Sequence, residues 1–223
     1  MWDADKIVYR NDDSFVRAYQ GSELVWEKPS SNNKIFYTST DGQIVTPDIG
    51  IGEESKGFGA NIVSNTYSGG RGVIVFDGPV TKIGYTAFGR CNTLQTIVIP
   101  DSVTSIGQIA FFSCERLTSI TIPKSVKHID IGVFGKCTSL ISITIPFSVR
   151  GIKWDAFKDC SQLSEVIVNA VTPPELYPEQ YIGIYNQFEN NAPGRKIKVP
   201  AESLQAYKTA PGWSDYADDI IAQ

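Results

Sequence analysis

Histidine is nearly absent from this chain, which has only one among its 223 residues. That scarcity leaves little room for catalysis that depends on imidazole or for a histidine-rich metal site. Basic residues are not in excess either: 20 of them stand against 24 acidic residues, and the net charge of −4 argues against a nucleic-acid-binding protein. No apolar run approaches the ~18 residues that a membrane helix needs. The 42% of hydrophobic residues nevertheless suffices for a packed core.

The first residues also lack the pattern of a secretory signal. Met1 to Lys6 offer neither a basic start nor an apolar stretch. Two interpretations stay open, because either the mature chain has lost a signal or the protein stays inside the cell.

The feature that decides the fold is an internal repeat. Cysteine, phenylalanine and leucine each return at an interval of 23 positions, and an Ile-Pro pair follows each leucine except the last. The recurring sets are Cys91, Cys114, Cys137 and Cys160, then Phe88, Phe111, Phe134 and Phe157, and then Leu94, Leu117, Leu140 and Leu163. So many coincident positions predict a stack of similar units, with four clear coils and a partial coil at each end.

Each repeat is predicted to contain one short strand. In the stretch Leu117–Ile122, the isoleucines fall on one side and Ser119 and Thr121 on the other, which is the period of two typical of a strand. The proline that follows cannot donate to a ladder hydrogen bond, so the strand ends there. One coil has too little core to stand alone. Stacking at the ~4.8 Å strand spacing buries its apolar residues against the next coil.

The repeat unit, Ala-Phe-x-x-Cys-x-x-Leu-x-x-Ile-x-Ile-Pro-x-Ser-Val-x-x-Ile, resembles the BspA-type leucine-rich repeat over about residues 71–168. The resemblance implies a β-rich α/β solenoid of 23-residue coils, of a kind common in surface proteins of gut and oral Bacteroidetes. It also implies an adhesin or surface receptor whose partner is a host extracellular-matrix protein, another cell-surface protein or a glycan. A cell-surface or secreted location is favoured on the same basis.

Breaks in the repeat predict how the chain is organised. A hairpin is expected where Asp41-Gly42 separates Lys34–Thr38 from Gln43–Thr46. Trp213 and Tyr216 are expected to cover the last coil, because an open solenoid end needs a cap. The predicted units are a small N-terminal β unit at 1–28, a linker at 29–33, an N-terminal cap with that hairpin at 34–70, the solenoid at 71–168 and a C-terminal cap with short helices at 169–223.

The four cysteines allow three interpretations. A uniform spacing places one thiol in each coil, along a line, whereas zinc needs ligands that converge at ~2.3 Å. Neighbouring coils do lie within the ~4.4–6.8 Å Cα range of a disulfide. Free cysteine also fills a core as a small apolar side chain. We therefore favour a structural ladder of reduced, buried thiols, made of Cys91, Cys114, Cys137 and Cys160.

Candidate binding residues are those whose identity the core does not dictate. Two rows point outward from the predicted strands, and a more variable column lies near Phe112. Serine and threonine suit any exposed strand, and the large side chains of the column either contact a partner or tuck under neighbouring turns. The rows hold Thr96, Val98, Ser119, Thr121, Ser142, Thr144, Glu165 and Ile167, and the column holds Tyr85, Gln108, Ile131 and Trp154, with Phe112 close to it.

The sequence contains no evident reactive constellation, since there is no second histidine and no nucleophile with an obvious base beside it. We therefore predict a non-catalytic protein-binding module with no metal, no cofactor, no nucleic-acid partner and no transmembrane segment. Two other functions stay open. One is a structural or assembly component of a larger cell-surface complex, docked by residues 1–28. The other is a glycan-recognition module belonging to a carbohydrate enzyme.

Overall fold

The computed structural model describes residues 18–20, 23–26, 32–49, 57–178 and 186–223. Two antiparallel strands, β1 (Ala18–Gln20) and β2 (Glu23–Trp26), fall within the predicted N-terminal unit. The rest of that unit, most of the predicted linker and residues 50–56 lie outside the described residues.

Short strands make up most of the regular structure in the rest of the described chain. In chain order they are β3 (Lys34–Ser39), β4 (Ile62–Ser68), β5 (Arg71–Phe76), β6 (Lys82–Ile83), β7 (Leu94–Val98), β8 (Ser105–Ile106), β9 (Ser119–Thr121), β10 (His128–Ile129), β11 (Ser142–Ile145), β12 (Gly151–Ile152), β13 (Glu165–Val168), β14 (Glu175–Leu176), β15 (Lys196–Val199) and β16 (Ile220–Ala222). One α-helix, α1 (Leu204–Thr209), lies between 3₁₀ turns at Ala201–Ser203 and Trp213–Tyr216.

The repeat region winds into a solenoid, as its spacing predicts. The longer strands form a main sheet in the order β7-β9 and then β11-β13-β15-β16, with β9 beside β11. The two-residue strands form a second sheet in the order β6-β8-β10-β12-β14. Paired neighbours in both series run parallel, and partners such as Ile97 and Ile120 are one repeat apart. The β-rich solenoid predicted from the sequence is therefore confirmed.

A column of stacked phenylalanine rings runs through the core. Neighbouring ring centroids are 5.4 to 5.6 Å apart and the ring planes lie within 15° of each other for Phe88, Phe111, Phe134 and Phe157. All four side chains are fully buried. Offset stacking at this distance adds to the stabilisation that burial alone provides.

The solenoid continues past residue 168 for one further coil. β14 extends the second sheet, β15 extends the main sheet, and the ring of Phe188 stacks 5.4 Å from that of Phe157. Phe157 and Phe188 are 31 positions apart rather than 23, so a search at fixed spacing misses this coil. The predicted C-terminal cap at 169–223 thus begins with a coil of the solenoid.

The predicted hairpin between Lys34–Thr38 and Gln43–Thr46 is wrong. Residues 44–49 form no strand, and β3 instead pairs antiparallel with β5 on one side and with β7 on the other. The hairpin of this region joins β4 to β5 through Gly69 and Gly70, whose φ angles of 55° and 76° favour glycine. β3 therefore lies between the strand of the first coil and that of the next.

Side chains of β3 and β4 hold the chain after Gly42 at Val45. The backbone N–H of Val45 donates to the hydroxyl of Tyr37 at 3.2 Å, and the Asn65 amide donates to the carbonyl of Val45 at 2.9 Å. The Tyr37 hydroxyl in turn donates to Asn65 Oδ1 at 2.8 Å. These bonds satisfy both backbone groups of Val45 without a second strand.

Aromatic side chains close the C-terminal end of the solenoid. Trp213 and Tyr216 lie 5.9 and 5.4 Å from the ring of Phe188, where the cap was expected to cover the last coil. Trp213 Nε1 donates to the carbonyl of Pro174 at 2.7 Å, and the hydroxyl of Tyr207 donates to the carbonyl of Ala170 at the same distance. The cap is therefore bonded to the last coil as well as packed on it.

Candidate interaction surface

The outward face of the main sheet carries both of the predicted rows. Strand register places Thr96 beside Ser119 and Val98 beside Thr121, and the same register relates Ser142 to Glu165 and Thr144 to Ile167. Their side chains alternate with the buried isoleucines and valines of the same strands, so all eight are turned away from the core. The four on β9 and β11 are exposed, and the four on β7 and β13 are half-buried.

The rows also extend at both ends beyond the residues predicted from the repeat. On the β3 side, the hydroxyl oxygens of Thr38 and Thr96 are 2.8 Å apart, and Phe36 is paired with Val98. The Arg71 guanidinium lies 3.9 Å from the centroid of the Phe36 ring, a cation–π contact. The repeat could not predict this end, because β3 is antiparallel and lies outside the 23-residue register.

The other end of the face is charged. Lys196 is paired with Glu165, and Lys198 with Ile167, in the register of β13 and β15. Lys198 Nζ forms a salt bridge with the Glu165 carboxylate. The face thus changes along the sheet from an aromatic and cationic end, through hydroxyl groups, to an end that carries charges of both signs.

The variable column lies elsewhere on the coil, in the turns that follow the second sheet. Tyr85 is 36% exposed, whereas Ile131, Trp154 and Phe112 are half-buried. Phe112 packs closely on the next coil: a Cβ added at Gly135 would lie 3.0 Å from its ring. The structure therefore does not bring the column together with the sheet rows, and Phe112 tucks against a neighbouring turn.

The cysteine side chains form a line of hydrogen bonds between coils. Sγ of Cys114, Cys137 and Cys160 donates to the carbonyl oxygens of Phe88, Phe111 and Phe134 at 3.0 to 3.2 Å. All four thiols are free, and Cys91 at the start of the line is half-buried. Asn191 continues the line, since its Nδ2 donates to the Phe157 carbonyl at 2.8 Å.

Burial controls the chemistry of these thiols. It raises the pKa of Cys91 to about 11 and that of Cys160 to about 12. The pKa values of Cys114 and Cys137 are also raised by burial. Because the thiolate is the reactive form, this arrangement suits a structural role and disfavours nucleophilic chemistry.

A groove at one corner of the solenoid was not predicted from the sequence. It lies between the corner of the coil at Phe147 and the longer corner at 169–174, and has a volume of about 560 Å³. Phe147 is 64% exposed and Val171 is 58% exposed. A signal was present in the repeat: in the two coils that precede the coil of Phe147, Asp101 and Lys124 hold its position. An apolar residue where both preceding coils carry a charge indicates a local role.

Two further observations apply to the described ranges alone. They contain no group of three or more histidine, cysteine, aspartate or glutamate side chains placed to hold a metal ion. Nor does any helix within them combine the length and the apolar character that crossing a bilayer requires.

Comparison with known proteins supports the interpretation of the repeat. Residues 66–173 match the family model described as BspA type leucine rich repeat region, in six copies. The resemblance inferred from the repeat unit is therefore confirmed. No curated protein matches the chain in sequence.

Several solved structures are similar to this chain. A leucine rich cell surface protein from Faecalibacterium prausnitzii A2-165 is 32% identical over 52% of this chain, with a TM-score of 0.42. A leucine rich repeat protein from T. pallidum is 24% identical over 66% of this chain, with a TM-score of 0.49. A leucine-rich repeat protein from Bacteroides ovatus ATCC 8483 is 22% identical over 65% of this chain, with a TM-score of 0.37. The matched parts cover 30%, 63% and 48% of those proteins.

Proposed function

We propose that this chain, whose residues 66–173 are a BspA-type leucine-rich repeat region, is a non-catalytic protein-binding module whose partner lies against the outward face of the main sheet. The observation that carries the proposal is the pair of continuous rows from Thr96 and Val98 to Glu165 and Ile167. A leucine-rich repeat fold is typical of protein-interaction and surface modules.

The dimensions of the face suit a protein partner. Because β4, β5 and β3 continue the main sheet before β7, nine strands build the face, which at ~4.8 Å between strands amounts to roughly 40 Å. Strands of about five residues at ~3.3 Å each make it roughly 16 Å deep. That area is of the order of the ~800 Å² that each partner buries in a standard interface.

The side chains of the face also favour binding. Serine and threonine have few rotamers, so ordering them on association costs less conformational entropy than ordering long side chains. Their hydroxyl groups both donate and accept hydrogen bonds. The salt bridge of Lys198 with Glu165 and the cation–π contact of Arg71 with Phe36 hold longer side chains in place at the two ends.

We extend the proposal to an adhesin or surface-receptor role, with a host extracellular-matrix protein or another cell-surface protein as the partner. The resemblance of the repeat unit to BspA-type surface proteins supports this extension. The acidic balance of the chain, with a net charge of −4, favours a partner that is not strongly anionic.

The test is a binding screen of the purified chain against matrix proteins and a glycan array, followed by surface plasmon resonance with variants. Thr121→Glu places a charge in the middle of the face, and we expect at least tenfold weaker binding because the new carboxylate must be desolvated. Ser161→Glu makes the same change in charge in an exposed turn away from the face and should bind like the unchanged protein.

Trp154→Ala completes the design, since Trp154 belongs to the column on the turn side. If Trp154→Ala abolishes binding and Thr121→Glu does not, the working surface is the column, and the proposal for the sheet face fails. A response confined to the glycan array would replace the protein partner by a carbohydrate. Turnover of a bound substrate would contradict the non-catalytic assignment.

A further inference from the structure

We infer that the corner groove, formed by Phe147, Val149, Arg150 and residues 169–174, binds an extended segment of a partner protein in which a bulky apolar side chain lies within two residues of a carboxylate. The inference deepens the proposed function, because it names the chemistry of a second contact with a protein partner. It rests on features away from the sheet face.

The groove lies where the repeat departs from its own pattern. Three corners between the main and second sheets have five residues each, namely Pro100–Thr104, Pro123–Lys127 and Pro146–Arg150. The fourth corner, at 169–174, has six. The groove forms between the last regular corner and the longer one, with a volume of about 560 Å³. That volume is in the range of ligand sites, which start at about 300 Å³.

Two large apolar side chains stand exposed at this place. Phe147 is 64% exposed and Val171 is 58% exposed, and both line the same groove, where neighbouring exposed apolar side chains favour a contact with a partner. In the two preceding coils the position of Phe147 is charged, with Asp101 and Lys124. An exposed aromatic ring beside an apolar wall is the usual anchor of a protein contact.

The far wall of the groove is held rigid by the C-terminal cap. The carbonyl of Ala170 accepts the hydroxyl of Tyr207, and the carbonyl of Pro174 accepts Nε1 of Trp213, both at 2.7 Å. Pro173 and Pro174 also have fixed φ angles. Because this wall is already ordered before a ligand binds, it loses little conformational entropy on binding. More of the free energy of apolar contact therefore remains as binding affinity.

The positive charge beside the groove favours a carboxylate in the ligand. Arg150 is exposed within it, and in the described part of the chain its guanidinium has no carboxylate partner. Lys127 stands at the same position of the coil before, bonded through its carbonyl to the Arg150 backbone N–H. Two aligned cations favour an anionic group, and a guanidinium pairs with a carboxylate in bidentate geometry.

An extended peptide can present these two features on neighbouring residues. In an extended chain, side chains two positions apart lie on the same side at about 6.6 Å. An apolar side chain on the Phe147–Val171 side and a carboxylate on the Arg150 side therefore come from neighbouring residues of one segment. A glycan or a second copy of this chain is a different occupant, and the experiment separates both from a peptide.

The probe is a library of random linear dodecamer peptides displayed on phage and selected on the full chain. We expect the selected peptides to be enriched in an aromatic or aliphatic residue within two positions of aspartate or glutamate. In fluorescence polarisation with one selected peptide, Phe147→Ser should bind at least tenfold more weakly. Ile141→Ser is the matched control, since Ile141 is 53% exposed but does not line the groove, and its affinity should be unchanged.

A charge reversal tests the carboxylate separately. Selection on Arg150→Glu should exchange the acidic preference of the peptides for lysine or arginine, and peptides from the first selection should lose at least tenfold in affinity. Phe147 and Arg150 are both exposed, so Phe147→Ser and Arg150→Glu should keep the melting temperature of the unchanged protein. Selected peptides without an acidic preference, or peptides that bind Phe147→Ser and Ile141→Ser equally, would overturn the inference.

The remaining outcomes distinguish other occupants. A dimer in sedimentation velocity that Phe147→Ser dissociates would identify a second copy in the groove and overturn the peptide assignment. Glycan-array binding that Phe147→Ser abolishes would overturn it in favour of a carbohydrate. If Thr121→Glu weakens matrix-protein binding while the groove variants leave peptide binding unchanged, the inference fails and the proposed function stands.

Discussion

At the scale of single residues, each coil from that of Cys114 onward contributes one short side chain that donates a hydrogen bond to a phenylalanine carbonyl of the preceding coil. The thiol of Cys137 donates to the Phe111 carbonyl at 3.2 Å, and the amide of Asn191 donates to the Phe157 carbonyl at 2.8 Å. The position therefore requires a donor of suitable reach rather than thiol chemistry. The repeat predicted the cysteines of this line, but Asn191 could not be predicted, since both its type and its 31-residue interval differ.

The first prediction concerns Asn191. Asn191→Ala removes the donor to the Phe157 carbonyl and also the acceptor of Arg195 Nη1, which lies 3.2 Å from Asn191 Oδ1, so we expect a loss of about 1–3 kcal/mol in the free energy of unfolding. Asn191→Cys also loses the acceptor of Arg195 but keeps a donor of the type used in the other coils, so it should be more stable than Asn191→Ala by about 1 kcal/mol. Urea unfolding measures both variants. Equal destabilisation of the two would show that the hydrogen bond to Phe157 is not the source of the effect.

The second prediction concerns alkaline pH. Burial raises the pKa of Cys160 from 9.0 to about 12, so above pH 9 the unfolded chain releases a thiol proton that the folded chain retains. Stability should therefore be full below pH 9 and fall as pH rises toward 12, by on the order of 1 kcal/mol per pH unit for such a thiol. Urea unfolding between pH 8 and pH 11 with a reductant measures this slope.

Cys160→Ala is the control for that slope. It removes one of the buried thiols, so its stability should decline less steeply above pH 9 than that of the unchanged protein, although it starts lower. An identical slope in Cys160→Ala would show that another group governs the alkaline loss. A residual slope is expected in Cys160→Ala, because burial also raises the pKa of Cys91, Cys114, Cys137 and Tyr216, and each of these groups acts in the same direction.

At the scale of elements, strand positions were more predictable than strand partners. Alternation identified Lys34–Thr38 as a strand because Ile35 and Tyr37 face the core. The same pattern does not specify which neighbour a strand pairs with, and it suggested a hairpin where β3 instead lies between β5 and β7. For the parallel coils the repeat itself specifies the register, and so the sheet rows from Thr96 to Ile167 were predicted correctly as one face.

The third prediction tests how β3 packs against β5. A Cβ added at Gly72 would lie 2.0 Å from Cζ of the buried Tyr37 ring, so Gly72→Ala must displace the ring or the strand. We expect it to lower the free energy of unfolding by about 1–3 kcal/mol. Gly78→Ala is the matched control, because its Cβ would meet only Ala60 at 3.8 Å. Comparable melting temperatures for the two variants would contradict this packing.

At the scale of the whole molecule, the stacking of coils explains which features can be predicted from the sequence and which cannot. Each coil packs on its neighbours, so one interval of 23 residues predicts the core, the phenylalanine column and the outward rows together. The corner groove depends on one extra residue at 169–174 and on the cap that orders it. Such departures from the repeat have no counterpart in the other coils, so they cannot be predicted from periodicity alone.

The last prediction concerns the cap. Trp213 is fully buried, packs 5.9 Å from the Phe188 ring and 5.1 Å from that of Tyr207, and donates to the Pro174 carbonyl. Trp213→Ala should cost about 3–5 kcal/mol locally. Because coils in a solenoid interact only with their neighbours, the loss should be greatest at the C-terminal end. Measured against the unchanged protein, Trp213→Ala should accelerate amide hydrogen exchange more in β13 and β15 than in β7.

Trp154→Ala provides the comparison, since Trp154 is half-buried and belongs to a turn of the fourth coil. It should leave exchange in β15 and β16 close to that of the unchanged protein. Uniform acceleration from β7 to β16 in Trp213→Ala would mean that the stack unfolds as one unit, and the neighbour-to-neighbour account of its stability would fail. Acceleration confined to β13, β15 and β16 would show that the cap stabilises the last coils, including the corner whose carbonyls at Ala170 and Pro174 it binds.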